Sequence, residues 1–192
     1  MSKRIALLSA AALGVLALTA AVVAPVAAQD KMKSEMSGEK TVMVGGAAMF
    51  PSKNIIQNAV NSKDHTTLVA AVKAAGLVDT LEGKGPFTVF APTNAAFSKL
   101  PAGTVDNLLK PENKATLTKI LTYHVVPGKL EAADLTDGKK LKTVEGEELT
   151  VKRSGDKVMI IDAKGDSSTV TIPNVNQSNG VIHVVDTVLL PS

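Results

Sequence analysis

The hydrophobic pattern of this chain changes its period between residues 123 and 140. Before residue 123, apolar residues recur at helical spacing, as Leu68, Val72 and Ala75 do. From residue 140 onward, short alternating stretches are separated by turns that contain glycine, which is typical of antiparallel hairpins. Helices followed by strands predict an α+β domain, because an alternating α/β domain would interleave the two.

Local start and stop signals predict the individual elements. Ser52 caps a helix over 53–61, and Thr66 or Thr67 begins a second helix that ends at Gly76. Two further helices and seven strands are expected: the helices over 105–109 and 112–122, the strands over 87–91, 123–126, 140–144, 149–153, 158–161, 168–172 and 181–190.

The segment 88–97 (TVFAPTNAAF) contains a strand, a stop and a helix start. Pro92 has no backbone N–H to donate to a sheet, so the strand is expected to end before it. Thr93 or Asn94 then caps a short helix, and the Asn94 amide is expected to satisfy exposed helix N–H groups. Asp186 lies in an otherwise apolar strand, so its carboxylate is expected to accept from a backbone N–H.

Residues 1–28 have the pattern of a secretory signal peptide. Lys3 and Arg4 precede an apolar run, and Ala27 and Ala28 supply the small residues of a cleavage site. The alternative is a retained membrane anchor, because the apolar run approaches the ~20 residues that span a bilayer. We therefore expect a secreted or periplasmic protein, which contacts a membrane only if this segment is uncleaved.

The remaining chain divides into a flexible N-terminal segment over 29–50 and one domain over 51–192. The stretch 29–40 is charged and has no apolar periodicity, whereas 41–50 is more apolar and its glycine pair suggests a turn or a loose strand. The chain has no cysteine, so apolar burial must hold the domain together without a disulfide.

The charge pattern excludes a nucleic-acid partner. The 21 Lys and Arg residues are interspersed with 18 Asp and Glu residues, and aromatic residues make up only 3% of the chain. Loss of residues 1–28 would remove two cations, Lys3 and Arg4, and no acid. A nucleic-acid surface needs a clustered basic face, which this pattern lacks.

Three segments resemble the fasciclin (FAS1) domain family and follow one another along the chain in the order of that family. The segment 88–97 is similar to the first sequence box of the family, and 170–191 is similar to its second box. Between them, 120–126 (ILTYHVV) resembles the Tyr-His segment of the family. The resemblance covers roughly residues 54–191, and it is closest to the single-domain secreted fasciclin proteins of bacteria.

This resemblance implies both a fold and a role. The fold would have two roughly orthogonal, mainly antiparallel β-sheets with helices packed at one side. The role would be that of a non-enzymatic cell-surface or extracellular adhesion module with a protein or polysaccharide partner. The alternative is a periplasmic small-ligand carrier or sensor that uses a pocket between sheet and helices. The oligomeric state is open.

Tyr123 and His124 are the first candidate binding residues. The resemblance implies a recognition surface here, because this segment is implicated in adhesion in animal relatives. The alternative is that both side chains anchor a helix-to-strand junction by packing and internal hydrogen bonds. Adjacent strand residues point to opposite faces, so the two are not expected to form one joint site.

Pro173, Asn174, Asn176 and Asn179 are the second set of candidate binding residues. Some animal members of the family carry an integrin-type motif here that ends on an acidic residue, and Asn174 stands in its place. A neutral amide is a poor ligand for a hard cation, so metal-dependent adhesion is not expected. The alternative is an edge strand that ends at Pro173 and leads into a turn.

No catalytic, cofactor or metal site is expected. His65, His124 and His183 are far apart in the sequence and do not show the spacing of a zinc site. The sequence also has no glycine-rich phosphate loop, nucleophile elbow or Ser/His/Asp grouping.

Overall fold

A computed structural model describes residues 40–192. The expected signal peptide over 1–28 and the linker up to residue 39 lie outside these residues. Within 40–192, no helix combines the length and the apolar character needed to cross a membrane.

The helices precede most of the strands, as the periodicity predicts. They are α1 (Ile55–Ala59), α2 (Thr66–Ala75), α3 (Val78–Glu82), α4 (Asn94–Ser98), α5 (Thr104–Leu108) and α6 (Lys114–Tyr123), with 3₁₀ turns at Lys63–His65 and Pro111–Asn113. Asn54, and not Ser52, caps α1, because its side chain accepts from the Gln57 N–H while the Gln57 side chain accepts from the Asn54 N–H. Gly76 ends α2 with a φ of 73°, which only glycine adopts without strain.

The strands form a two-stranded hairpin and one seven-stranded sheet. They are β1 (Val42–Val44), β2 (Ala47–Met49), β3 (Phe87–Pro92), β4 (Val125–Pro127), β5 (Lys140–Lys142), β6 (Glu148–Ser154), β7 (Lys157–Ile161), β8 (Ser167–Gln177) and β9 (Gly180–Val185). The large sheet has the order β4-β3-β9-β8-β7-β6-β5, in which β3 and β9 are parallel and all other neighbours antiparallel.

The long strand β8 joins two halves of this sheet. Its first residues pair with β7 and its later residues pair with β9, and the register shifts at Ile172 and Val175. The two edge strands of the sheet, β4 and β5, also approach each other: the N–H of Val144, which follows β5, donates to the carbonyl of Val125 in β4 at 2.8 Å. The result is one nearly closed, mainly antiparallel sheet, where the resemblance implied two sheets.

Two hydrophobic cores lie on the two faces of β3. Val89 and Ala91 point toward the helices and belong to the core between helices and sheet, whereas Phe90 points to a second core that the strands enclose. The helices therefore cover one face, as expected.

Part of the N-terminal segment that was expected to be flexible forms the hairpin of β1 and β2. Val42 pairs with Met49 and Val44 with Ala47. The Val44 and Met49 side chains are each only 3% exposed and pack in the core between helices and sheet. Residues 42–49 therefore pack with the domain that was expected to begin at residue 51.

The strand that was expected to end before Pro92 includes it, because Pro92 pairs with Val185 without donating, and the strand expected over 181–190 ends at Val185. Two other changed boundaries involve candidate site residues. Tyr123 is the last residue of α6 and His124 caps that helix, so the strand begins only at Val125. β8 does not end at Pro173 but continues to Gln177. The bulges around Pro173 accommodate a residue that has no N–H to donate.

Candidate functional site

Tyr123 is buried at the end of α6, with no exposed surface. Its hydroxyl oxygen accepts from the Ala163 N–H at 2.8 Å, and its O–H donates to the Glu148 carbonyl at 3.4 Å. Burial raises the pKa of Tyr123 to about 12, although the Ala163 N–H acts in the opposite direction. The only tyrosine of the chain therefore joins α6 to the turn that follows β7.

His124 is 2% exposed and has both ring nitrogens occupied. Nδ1–H donates to the Ile120 carbonyl at 2.8 Å, and Nε2 accepts from the Leu189 N–H at 3.0 Å. These two bonds require the neutral Nδ1–H tautomer. Burial lowers the pKa of His124 to about 4, against the Ile120 carbonyl and the Asp162 carboxylate, which raise it.

Asp162 completes this buried junction. One carboxylate oxygen accepts from the Lys164 and Asp166 N–H groups, and the other accepts from the Leu190 N–H. We call Tyr123, His124 and Asp162 the buried junction. Its polar atoms are engaged within the protein, so it holds the segment at 189–190 to α6 and offers no contact surface to a partner.

The β8–β9 hairpin, residues 173–180, carries the other candidate residues. Pro173 is exposed. Asn174 has a φ of 56°, and its side-chain oxygen accepts from the Ala132 N–H at 2.7 Å. The Asn174 N–H faces Nδ1 of the buried His183 at 3.4 Å, and His183 Nε2–H donates to the Leu130 carbonyl. Asn174 and His183 therefore hold the loop at 130–132 beside this hairpin.

Asn176 and Asn179 differ in how well their side chains are satisfied. The Asn176 amide nitrogen reaches only the Asn174 carbonyl at 3.5 Å, and its buried oxygen accepts no hydrogen bond within 40–192. The Asn179 oxygen accepts from the Ile55 N–H at 3.1 Å, and its nitrogen donates to the carbonyls of Leu81 and Gly83 at 2.7 and 3.0 Å. Asn179 therefore fastens the hairpin tip to α1 and α3.

The structure does not bring all six candidate residues together. Among the described residues, no hydrogen bond joins Tyr123 or His124 to the β8–β9 hairpin. The first two are enclosed, whereas Pro173 is exposed and the three asparagines are half-buried. Tyr123 and His124 were expected to point to opposite faces of one strand and so to form no joint site. Neither residue lies in a strand, because β4 begins at Val125.

An open cleft of about 480 Å³, lined mostly by residues with polar side chains, lies beside the hairpin tip, and we call it the polar cleft. Its walls come from the N-terminal end of α1, the turn at 83–86 and the tip at 177–180, together with Lys129. Sequence analysis did not single out the rim residues Asn54, Gln57, Glu82 and Lys84. They come from segments that are distant in the sequence, and no local sequence pattern indicates that these segments meet.

An internal cavity of about 40 Å³ lies between the helices and the sheet. Its lining is hydrocarbon except for His65 and His124, and Val44 and Met49 of the β1–β2 hairpin contribute to its wall. This volume is far below the ~300 Å³ at which drug-sized ligand pockets begin.

Acidic and histidine side chains do not gather at any point of the described chain. Within residues 40–192, no three His, Asp or Glu side chains lie close enough to hold a metal ion.

Comparison with curated proteins finds clear relatives. The chain is 52% identical to Protein sll1483 of Synechocystis over 153 residues, which cover 80% of this chain and 82% of that protein. It is 37% identical to the immunogenic protein MPB70 of Mycobacterium bovis over 195 residues, covering 97% and 96%. It is 39% identical to the cell surface glycolipoprotein MPB83 of the same species, covering 77% of this chain and 64% of that protein.

Comparison with solved structures finds the same fold. A FAS1 domain pair from the insect cell adhesion molecule fasciclin I matches with a TM-score of 0.65 and 21% sequence identity. The match covers 73% of this chain and 52% of that two-domain chain. The sequence model of the fasciclin domain matches residues 63–191. The chain therefore belongs to the fasciclin domain family, and like its relatives in that family it is not an enzyme.

Proposed function

We propose that this chain is an exported adhesion module that binds a protein or a polysaccharide at a cell surface. Two relatives support this role by their names, one a cell surface glycolipoprotein and one a cell adhesion molecule. The signal-like pattern of residues 1–28 supports export. The intact mass of the exported protein would match a chain that begins at Gln29, with or without loss of ammonia from that glutamine, if the signal is cleaved, and the mass of a chain that begins at Met1 would contradict cleavage.

The binding surface in this proposal is the β8–β9 hairpin together with the polar cleft beside it. The observation that carries this choice is the contrast in exposure: Pro173 and Ser178 are exposed, whereas Tyr123 and His124 are buried. Exposed polar surface next to a fixed turn can exchange water for a partner at little conformational cost. Tyr123 and His124 then affect binding only by stabilising the domain.

The experiment compares two substitutions of exposed serines, one at each end of the β8 region. Ser178→Arg places a bulky cation at the hairpin tip, and Ser167→Arg places the same side chain at the start of β8. The exported protein and both variants are immobilised and exposed to surface polymers and surface proteins. Loss of retention in Ser178→Arg alone supports the proposal, and equal retention by both variants contradicts it.

A second candidate function is a carrier for a small apolar ligand, favoured by the hydrocarbon lining of the 40 Å³ cavity. A cavity this small and this apolar would have to expand before it could hold more than a few atoms. Titration with the fluorescent probe N-phenyl-1-naphthylamine tests this function. A saturable signal that Val72→Phe abolishes would favour the carrier, and a flat titration of a folded protein would exclude it for this class of probe.

A further inference from the structure

We propose that the polar cleft binds one acidic sugar unit of a polysaccharide, whose carboxylate is held by Lys84. The proposal rests on the proposed function, because it names the ligand class of that same surface. The cleft volume of about 480 Å³ lies within the range of about 300–1,000 Å³ that is usual for ligand sites.

The floor of the cleft is held rigidly by backbone contacts. The Phe87 N–H donates to the Asn179 carbonyl at 3.1 Å, beside the three hydrogen bonds of the Asn179 side chain. A Cβ added to Gly85 would collide with the Asn179 carbonyl, and one added to Gly180 would collide with the Phe87 carbonyl. The concave shape therefore exists before a ligand arrives, which lowers the entropy cost of binding.

The rim of the cleft carries polar groups that have no partner within the described residues. Asn54 and Gln57 use their side-chain oxygens in the helix cap, which leaves both amide NH₂ groups free to donate. The exposed Glu82 carboxylate and the exposed Ser178 hydroxyl make no side-chain hydrogen bond or ion pair across 40–192. Donors and acceptors that are mixed in this way match the hydroxyl groups of a sugar.

The same rim is a poor surface for a protein. Its only side chain without a polar group, apart from the glycines, is that of Pro86. Protein interfaces usually draw their affinity from buried aromatic, Met or Arg anchors, and the cleft has none of these. A polysaccharide is therefore the occupant that the chemistry of the cleft favours.

The charges of the rim favour one carboxylate on the ligand. Lys84 is exposed and has no acidic partner in the described chain, whereas the ammonium group of Lys129 lies 3.6 Å from the Glu131 carboxylate. Glu82, two residues from Lys84, would repel a densely charged polyanion. A sugar with a single carboxylate satisfies Lys84 and leaves its hydroxyls to Asn54, Gln57 and Glu82.

The test titrates the exported protein with galacturonic acid, which carries a single carboxylate, and, as the neutral match, with galactose. Amide chemical shifts in NMR report both the affinity and the place of binding. We expect the acidic sugar to bind more tightly and to shift the amides of Gly83, Gly85 and Asn179. Lys84→Gln should weaken acidic-sugar binding about fivefold, as expected for one exposed ion pair.

Lys152→Gln is the matched control, because Lys152 is an exposed lysine of β6 outside the cleft. Unchanged binding in this control, with the loss in Lys84→Gln, supports the proposal. Equal affinity for both sugars, shifts at other amides, or no loss in Lys84→Gln would overturn it. No sugar binding by a protein that still retains a surface partner would overturn this proposal alone, and failure of both assays would overturn the proposed function as well.

Discussion

The buried junction and the β8–β9 hairpin both carry polar side chains but use them in opposite ways. In the junction, Tyr123, His124 and Asp162 direct their polar atoms to backbone groups of the same chain. At the hairpin and its cleft, several rim groups face solvent and have no partner among residues 40–192, while Asn179 holds the turn. The polar side chains of the buried junction stabilise the fold, whereas those at the rim of the cleft are available to a ligand.

The largest effect that this comparison predicts is the loss of stability in His124→Ala. Removing a buried imidazole leaves a cavity and two unpaired backbone groups, the Leu189 N–H and the Ile120 carbonyl. We expect the free energy of unfolding to fall by about 4 kcal/mol, measured by urea denaturation. A loss below about 1 kcal/mol would mean that the junction does not hold the domain together.

The second prediction concerns acid. The pKa of His124 is lowered from 6.5 to about 4 in the folded protein, so between these values the unfolded chain binds a proton that the folded chain excludes. Stability is therefore present above pH 6.5 and is lost as the pH falls toward 4, by about 3 kcal/mol from this residue. Burial also lowers the pKa of His65 and His183, which adds to the loss in the same direction.

His124→Gln is the control for the acid prediction. The glutamine can still accept from the Leu189 N–H but does not titrate. Urea unfolding at pH 7 and pH 4.5 should show a smaller difference in this variant than in the original protein. An identical pH dependence would remove His124 as a cause of acid sensitivity.

The third prediction concerns Asn179 of the hairpin, whose side chain, like those of the junction, bonds to backbone groups of distant segments. Asn179→Ala removes hydrogen bonds to Ile55, Leu81 and Gly83. We expect the free energy of unfolding to fall by about 2 kcal/mol, because the Ile55 N–H loses its acceptor. Asn176→Ala, which removes an oxygen that accepts no bond in the described chain, should cost less, and the reverse order would contradict this view.

The smallest expected effect is that of Ser178→Ala. The side chain is exposed at the hairpin tip, so the change in unfolding free energy should stay within about 0.5 kcal/mol by thermal denaturation. A larger loss would mean that the tip is part of the stabilising network and is not free for a partner.

The sequence predicts those parts of the fold that depend on neighbouring residues. The Gly76 stop and the strand beginning at Phe87 are confirmed, and of the two caps left open, Thr93 and Asn94, it is Thr93 that caps α4. Each of these features depends on residues within one turn or one strand. Asp186 was expected inside a strand, but β9 ends at Val185 and the Asp186 side chain is 41% exposed. Its carboxylate does accept from a backbone N–H, that of Thr169, as expected.

The parts that the sequence missed depend on distant contacts. Asn94 does satisfy a helix N–H, but that of Thr67 in α2 and not of its own helix. Tyr123 and His124 look like strand residues beside Val125 and Val126, yet the backbone N–H of His124 donates to Leu121 and continues α6. Propensity alone does not decide such a boundary, because tertiary bonds at Ala163 and Leu189 stabilise the helical form.

We propose that the binding surface lies at the hairpin and its cleft and not at the Tyr-His segment. The most direct measurement compares partner retention by two folded variants, Tyr123→Phe and Ser178→Arg, under identical conditions. We expect Tyr123→Phe to retain the partner as the original protein does and Ser178→Arg to lose it. Loss of the partner in Tyr123→Phe with full retention in Ser178→Arg would place the binding surface at the Tyr-His segment instead.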